Sequence, residues 1–277
     1  MSLFVTSLNS GSNGNCYYIG NDSEAILVDA GISCREIEKR MRRLGLSMQK
    51  VKAIFVSHEH SDHIKGIPVL ARKYQLPVYI TAATLCRCGF MLDKHLPISF
   101  VRDEPTLVGS LSVTAFSKLH DACDPCSFIV SCNGVKVGIF TDIGAPCKNL
   151  VKYFKECHAA FLEANYDEKM LDAGSYPYYL KNRIRGGNGH LSNRQALELF
   201  RAHKPAYMSH IFLSHISKNN NCPDLVRELF NANADGVKMI VASRYEETNV
   251  YHIDGAVHTP LRYHKQVTAP QLSFSFA

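Results

Sequence analysis

Short apolar runs separated by turn formers dominate the chain, and their length and branching predict strands more often than helices. Phe4 to Leu8, Cys16 to Ile19 and Ala25 to Val28 form a first set, with Ser10-Gly11-Ser12-Asn13-Gly14-Asn15 as a turn-forming run between the first two. Ala53 to Val56, Val78 to Thr81, Leu111 to Phe116, Ser127 to Cys132 and Val135 to Thr141 continue the series, followed by Ala159 to Leu162, Ala206 to Leu213 and Val237 to Ala242. Asn133-Gly134 predicts a hairpin with a type I′ turn, because both central residues must take positive φ.

Helical spacing interrupts these runs. Ser33 with Glu36 is a capping box ahead of Ile37, Met41 and Leu44, and Gly45 is the stop. The basic residues of that helix, Arg35, Lys39, Arg40, Arg42 and Arg43, are expected on a solvated face. Further helices are predicted from Gly66-Ile67-Pro68 to about Tyr74 and over Thr84 to Leu92. Another follows the Ser192/Gln195 capping box, with Ala196, Leu199 and Phe200 inward, and a last one starts at Pro223 with Leu225, Val226 and Leu229 inward.

One stretch does not fit packing at all. His58-Glu59-His60-Ser61-Asp62-His63 sits at the C-terminal mouth of the Ala53 to Val56 strand. Buried rings need hydrogen-bond partners, and a tight loop offers too few for three imidazoles and a carboxylate. The spacing suits two adjacent metal ions, one held by the first pair and one by the second. His120 lies at another strand exit, Asp142 ends the Val135 to Thr141 strand, and a carboxylate has two oxygens with which to bridge two cations. His190 follows a glycine-rich loop just ahead of a helix N-terminus; Lys181, Arg183 and Arg185 precede it and could meet a phosphate backbone or simply be solvated. Asp29 and Glu163 also end strands, where either could shape a turn or buttress a loop.

Bulk composition changes this picture little. A net charge of +6 tilts only mildly towards anionic substrates. There is no apolar run long enough to span a bilayer and no basic, apolar leader, so a cytoplasmic location and no membrane partner are expected. The ten cysteines are irregularly spaced, several within apolar runs, and are expected as reduced thiols. Cys123-Asp124-Pro125-Cys126 is a lone C-x-x-C and a weak separate metal site.

The H-x-H-x-D-H stretch after a strand resembles the signature of the metallo-β-lactamase fold superfamily. Leu162-Glu163-Ala164-Asn165-Tyr166-Asp167 and Gly189-His190-Leu191-Ser192-Asn193 resemble elements of its WalJ/YycJ-type branch, which is similar to ribonuclease Z-like phosphodiesterases and nucleases. The resemblance runs from about residue 3 to about residue 250. It implies an α/β fold, an αββα sandwich of two mixed sheets with the metals at one edge. It further implies one cation (zinc or manganese) held by His58, His60 and His120 and a second by Asp62, His63 and His215, with Asp142 bridging. In it Asp29 and Glu163 hold the metal-bearing loops through hydrogen bonds, Asp62 orients the nucleophile, and His190 protonates the leaving oxygen. Asn193, Lys181, Arg183 and Arg185 are possible substrate contacts. A site fed from both halves of the chain makes residues 1–254 one hydrolase domain, with 255–277 a C-terminal extension or edge strand.

The expected reaction is metal-dependent phosphodiester hydrolysis, exonuclease-like, on nucleic acid and perhaps DNA. Hydrolysis of a small ester, lactone or cyclic phosphodiester is the alternative within the same chemistry, and a metal-binding scaffold module is the alternative outside it. The tail Gln271-Leu272-Ser273-Phe274-Ser275-Phe276 alternates like a half-buried strand and also resembles the peptide by which replication and repair proteins hold the sliding clamp.

Overall fold

A computed structural model describes residues 2–255; Met1 and residues 256–277, including the clamp-like segment Gln271 to Phe276, lie outside the described residues. Fourteen strands are described: β1 (Leu3–Asn9), β2 (Cys16–Gly20), β3 (Ala25–Val28), β4 (Val51–Phe55), β5 (Val78–Tyr79), β6 (Pro97–Ile98) and β7 (Pro105–Val108), then β8 (Leu111–Ser117), β9 (Cys126–Cys132), β10 (Val135–Phe140), β11 (Ala159–Glu163), β12 (His210–Ser214), β13 (Lys238–Val241) and β14 (Tyr251–Ile253). They form two seven-stranded sheets, ordered β14-β1-β2-β3-β4-β5-β6 and β13-β12-β11-β10-β9-β8-β7. Both are mixed. β3 to β6 run parallel in the first, and β10 to β13 in the second.

The two-residue period of a strand explains the layering. In β11, Ala159 and Phe161 enter the core between the sheets, while Ala160 and Leu162 face the helices outside. In β3, Ile26 and Val28 point inward, and Ala25 and Leu27 point out. Strands covered on both faces read as continuous apolar runs, which is why they stand out in the sequence. Aromatic pairs join the sheets directly: Tyr17 meets Phe161 at 4.8 Å, and Phe55 meets Phe128 edge-on at 5.7 Å.

The outer layers are built from α1 (Cys34–Arg43), α2 (Ser61–Ile64), α3 (Ile67–Tyr74), α4 (Ala82–Arg87), α5 (Lys148–Phe154), α6 (Glu168–Ala173), α7 (Tyr178–Arg185), α8 (Asn193–His203) and α9 (Pro223–Asn231). Ile37 of α1 and Leu70 of α3 cover the first sheet, and Leu150, Phe200 and Phe230 cover the second. None of the described helices is long and apolar enough to cross a membrane. All ten cysteines are free thiols.

Several sequence expectations are corrected. The helix expected over Thr84 to Leu92 spans only Ala82–Arg87, capped by the Thr81 hydroxyl, and Gly89 takes a positive φ of 67° just beyond it. The strand expected from Ala206 starts at His210. Leu225 of α9 is exposed, and Phe230, one turn beyond Val226, is the second residue that α9 buries fully. Strand β7 and helices α5 to α7 were not anticipated, being short and without a clean period. Lys181, Arg183 and Arg185 therefore lie on α7 and not in an open loop.

Arg40 departs most from expectation. It is buried, not on the solvated face. Its Nη1 donates to the Leu8 carbonyl and Asn9 Oδ1, both at 2.7 Å, its Nη2 to the Tyr245 carbonyl at 2.9 Å, and its Nε to Glu36. β1 has a register shift between Ser7 and Asn9, which leaves Leu8 without a partner in the β1–β2 ladder. The guanidinium supplies the missing donor there and ties α1 to the end of β1 and to the segment after β13. Arg40→Met should lower unfolding free energy by about 2–4 kcal/mol, since buried acceptors lose a charged donor. Arg40→Lys should recover only part of it, because an ammonium cannot span the same fork. Urea titration of the three proteins checks this; equal midpoints would contradict it.

Candidate metal centre

The chemistry gathers where parallel strands release the chain, the usual place for a ligand crevice in such sheets. β3 delivers Asp29, β4 delivers His58 to His63, β8 delivers His120, β10 delivers Asp142, β11 ends in Glu163 and β12 delivers His215. Asp29, Asp142 and His215 all take positive φ, between 54° and 60°. This conformation is uncommon for non-glycine residues, and here it turns each side chain into one space. The Asp62–His63 turn is pinned from below: Asn15 donates its N–H to the Asp62 carbonyl, and Ala30 to the His63 carbonyl. Gly31 lets these backbones approach, since a Cβ there would lie 1.6 Å from the Asp62 carbonyl oxygen.

Hydrogen bonds assign the imidazole tautomers. Asp29 Oδ1 accepts from the Ser57 N–H, and its Oδ2 accepts from the Ser57 hydroxyl and, at 2.7 Å, from His63 Nδ1. Having donated to Asp29, the Ser57 hydroxyl accepts from His58 Nδ1 at 2.8 Å. His120 Nδ1 donates to the Gly189 carbonyl, and His215 Nδ1 to Glu163 Oε1, each at 3.1 Å. In all four rings Nε2 is the nitrogen left to face the centre. His60 turns its Nδ1 there, 3.0 Å from His58 Nε2 and 3.3 Å from His120 Nε2.

Two donor sets result. His58, His60 and His120 offer one, and Asp62, His63 and His215 the other. Asp142 lies between them, with Oδ2 3.1 Å from His63 Nε2 and Oδ1 3.5 Å from His215 Nε2 and 3.8 Å from His120 Nε2. Asp142 Oδ2 and His215 Nε2 are both buried without a hydrogen-bond partner. Buried polar atoms are rarely left so, and orphaned atoms among nitrogen and oxygen donors fit divalent cations.

Charge in the centre follows from burial and neighbours. Burial pushes His58 well below the ordinary histidine value and His120 down to about 4, so both are neutral at pH 7. Burial also opposes charge on His63 and His215, but Asp142 and the other carboxylates outweigh it, raising His63 well above its usual value and His215 to about 10. Asp142 is correspondingly held well below the carboxylate range, against burial, by His215 and His63. Glu163 falls to about 2 because His190 and His215 overcome its burial.

A cleft of about 240 Å³ opens over the donors. His190 lines it and gives its Nδ1 to Glu163 Oε1 at 2.8 Å. Glu163 Oε2 accepts from the backbone N–H of Ile143 and of Leu191, so one carboxylate positions the Asp142 and His190 loops together. Arg183 lines the cleft and pairs with Asp121 at 2.5 Å. Lys181 and Arg185 turn away, onto the Asp172 carbonyl and carboxylate respectively. Asn193 does not line the cleft; it is buried in an amide pair with Asn221.

A family model described as "Beta-lactamase superfamily domain" matches residues 24–216. The chain belongs to the β-lactamase superfamily. Among the relatives of this superfamily chain is the exodeoxyribonuclease YycJ of Bacillus anthracis, 37% identical over 232 residues, or 82% of this chain and 87% of that one. The exodeoxyribonuclease WalJ of Streptococcus pneumoniae is 31% identical over 223 residues, 79% and 83% of the two chains. The crystal structure of the metallo-β-lactamase fold protein YhfI from Bacillus subtilis superposes with a TM-score of 0.70 at 16% identity, covering 91% of this chain and all of that one. That likeness shows the superfamily fold of two mixed sheets between helices.

Some residues of this superfamily site were not singled out from sequence. Asn15 places its Nδ2 3.2 Å from Asp62 Oδ2 and 3.0 Å from His63 Nε2, which settles that the Ser10 to Asn15 run lies beside the centre. Asn165 donates to the His215 carbonyl at 2.8 Å, and Ser57 links Asp29 with His58 and His63. A polar side chain directly after an apolar strand run was the available signal for Ser57. The central role of Glu163 gives a metal-independent test. In EDTA-treated protein Glu163→Ala should cost about 3–5 kcal/mol of stability, because two imidazoles and two backbone donors lose their acceptor. Denaturant unfolding measures it; an unchanged midpoint would show that the loops stand without the carboxylate.

Proposed function

We propose that the chain is a metal-dependent phosphodiester hydrolase acting on nucleic acid, and specifically an exodeoxyribonuclease like the YycJ and WalJ proteins it is similar to. The observation that carries the reading is the meeting of the His58/His60/His120 and Asp62/His63/His215 sets across Asp142 in one open cleft. In this reading each set would hold one divalent cation, zinc or manganese, with Asp142 shared. Bound there, the cations would supply Lewis acidity towards phosphoryl oxygens and a nucleophile at neutral pH.

The chain's own residues supply the rest. Asp62, with its Oδ2 beside Asn15 Nδ2, would orient the attacking nucleophile. Glu163 occupies His190 Nδ1, which leaves Nε2 to give a proton to the leaving oxygen. Arg183 faces the cleft and would meet a phosphate adjacent to the scissile one. Because donors come from strands of both sheets, residues 1–254 act as one catalytic domain. Hydrolysis of a small ester or lactone is less well served, since such substrates carry no phosphate for Arg183 to meet.

Elemental analysis of the purified protein should find about two transition-metal ions per chain, and Asp142→Ala should lose at least one. The holoenzyme should release nucleotides from end-labelled DNA faster than from RNA of the same sequence. Turnover of an ester or lactone with no cleavage of either nucleic acid would overturn the reading. His190→Ala should keep the metal and slow DNA hydrolysis roughly 10²–10⁴-fold. The loss should shrink with bis-p-nitrophenyl phosphate, whose leaving group needs no proton; an equal loss on both substrates would remove the acid role.

A further inference from the structure

A second cavity, of about 280 Å³, lies beside the metal cleft, between the loop after β12, the start of α9 and the segment after β13. Its size is just below the range of about 300–1,000 Å³ for sites that take small organic ligands, so it suits one compact unit and not a chain of them. Two residues join it to the cleft. Ser217 lines both spaces, and Ser12, which lines the cleft, accepts from Arg244 Nη2 at 3.4 Å.

The lining has two characters. Ile216, Val241 and Ala242 make an apolar wall, and Tyr245, 69% exposed, stands at the rim. Lys218, Arg227 and Arg244 bring three cations against one carboxylate, Glu246. Arg227 is held by Asp224. Among the described residues no carboxylate pairs with Lys218 or Arg244, and Arg244 Nη1 is buried without any hydrogen-bond partner. A guanidinium nitrogen taken from water and given nothing in return is an uncompensated cost, and an anion arriving in the cavity would remove it. An anion alone would not use the apolar wall or the tyrosine.

We infer that this cavity binds one nucleotide of the strand being cut, its base against the Ile216–Val241 wall and Tyr245 and its phosphate at Arg244 and Lys218. The inference rests on the phosphodiesterase reading above and extends it: the strand passes over Ser217, so that its neighbouring phosphodiester lies in the metal cleft. Planar bases of any identity can stack on a tyrosine, so the subsite holds the strand without selecting sequence. Arg244 is fixed from both sides for this task. Asn13 Nδ2 donates to its carbonyl at 2.8 Å, and Ser12 receives its Nη2.

The test uses the zinc-loaded full-length enzyme, with dTMP and a single-stranded oligodeoxynucleotide as probes. dTMP should shift the backbone amide resonances of Ser217, Ser243 and Tyr245. Arg244→Ala should raise the KM for the oligonucleotide about 10–100-fold, the worth of a charge-assisted contact. Tyr245→Ala, at an exposed rim position that folding does not need, should raise it about tenfold. Unchanged KM in both variants would overturn the inference, whether dTMP binds the cavity as a free nucleotide or shifts only resonances around Asp142 and His190. Failure of the broader reading looks different: no phosphodiester is then cleaved with any metal, while the dTMP shifts still report on the cavity.

Discussion

Everything in this molecule depends on burying charge where two sheets meet. Asp29, Asp142 and Glu163 are carboxylates removed from water; Asp29 and Glu163 are answered by imidazole or backbone N–H groups at 2.7–3.1 Å, and Asp142 lies 3.1 Å from the His63 imidazole with its Oδ2 making no hydrogen bond. An unanswered carboxylate there would cost several kcal/mol, so no part of the arrangement can be removed alone. Asp29 serves the first sheet through Ser57 and His63, and Glu163 serves the second through His190 and His215. Asp142 lies where the two systems touch. Each sheet brings its own buttressed histidines, and the centre exists only when the sheets are packed.

Packing and chemistry are therefore linked in detail. Tyr17 shows the route. Its ring packs on Phe161 across the sheet interface, and its hydroxyl donates to Asn15 and meets Ser10. Asn15 contacts Asp62 and His63, and Ser10 accepts the His215 N–H at 2.8 Å. One aromatic pair in the core thus sets the height of all three residues of the Asp62/His63/His215 set. The positive φ of Asp29, Asp142 and His215 is tolerated for the same reason: the surrounding hydrogen bonds over-determine those backbones.

The open face of the site is less rigidly built. Helix α7 buries none of its residues, yet supplies Leu180 and Arg183 to the cleft. Its hold comes from polar contacts, Arg183 to Asp121 and Arg185 to Asp172. The floor is held by buried charge and the roof by exposed pairs, which are worth little each. A substrate channel needs that asymmetry, since the donors must not move while the opening adapts.

What the sequence determined by itself was whatever is local. The apolar runs of β3 and β11, the Asn133-Gly134 turn and the Ser192/Gln195 capping box express physics between neighbours, and they hold in the structure. The His58 to His63 cluster was legible for the same reason, because six adjacent residues have no packing explanation. His120, Asp142, Glu163, His190 and His215 could be named only through family resemblance; nothing in their immediate neighbours distinguishes a ligand from a surface histidine. Only the tertiary structure decided that Arg40 leaves its basic face to fill acceptors at the end of β1, and that Asn193 is locked to Asn221. It alone turned Lys181 and Arg185 towards Asp172 and left Arg183 in the cleft. These outcomes depend on partners 9 to 205 residues away, and what a long polar side chain does is set by which acceptor the fold brings within reach.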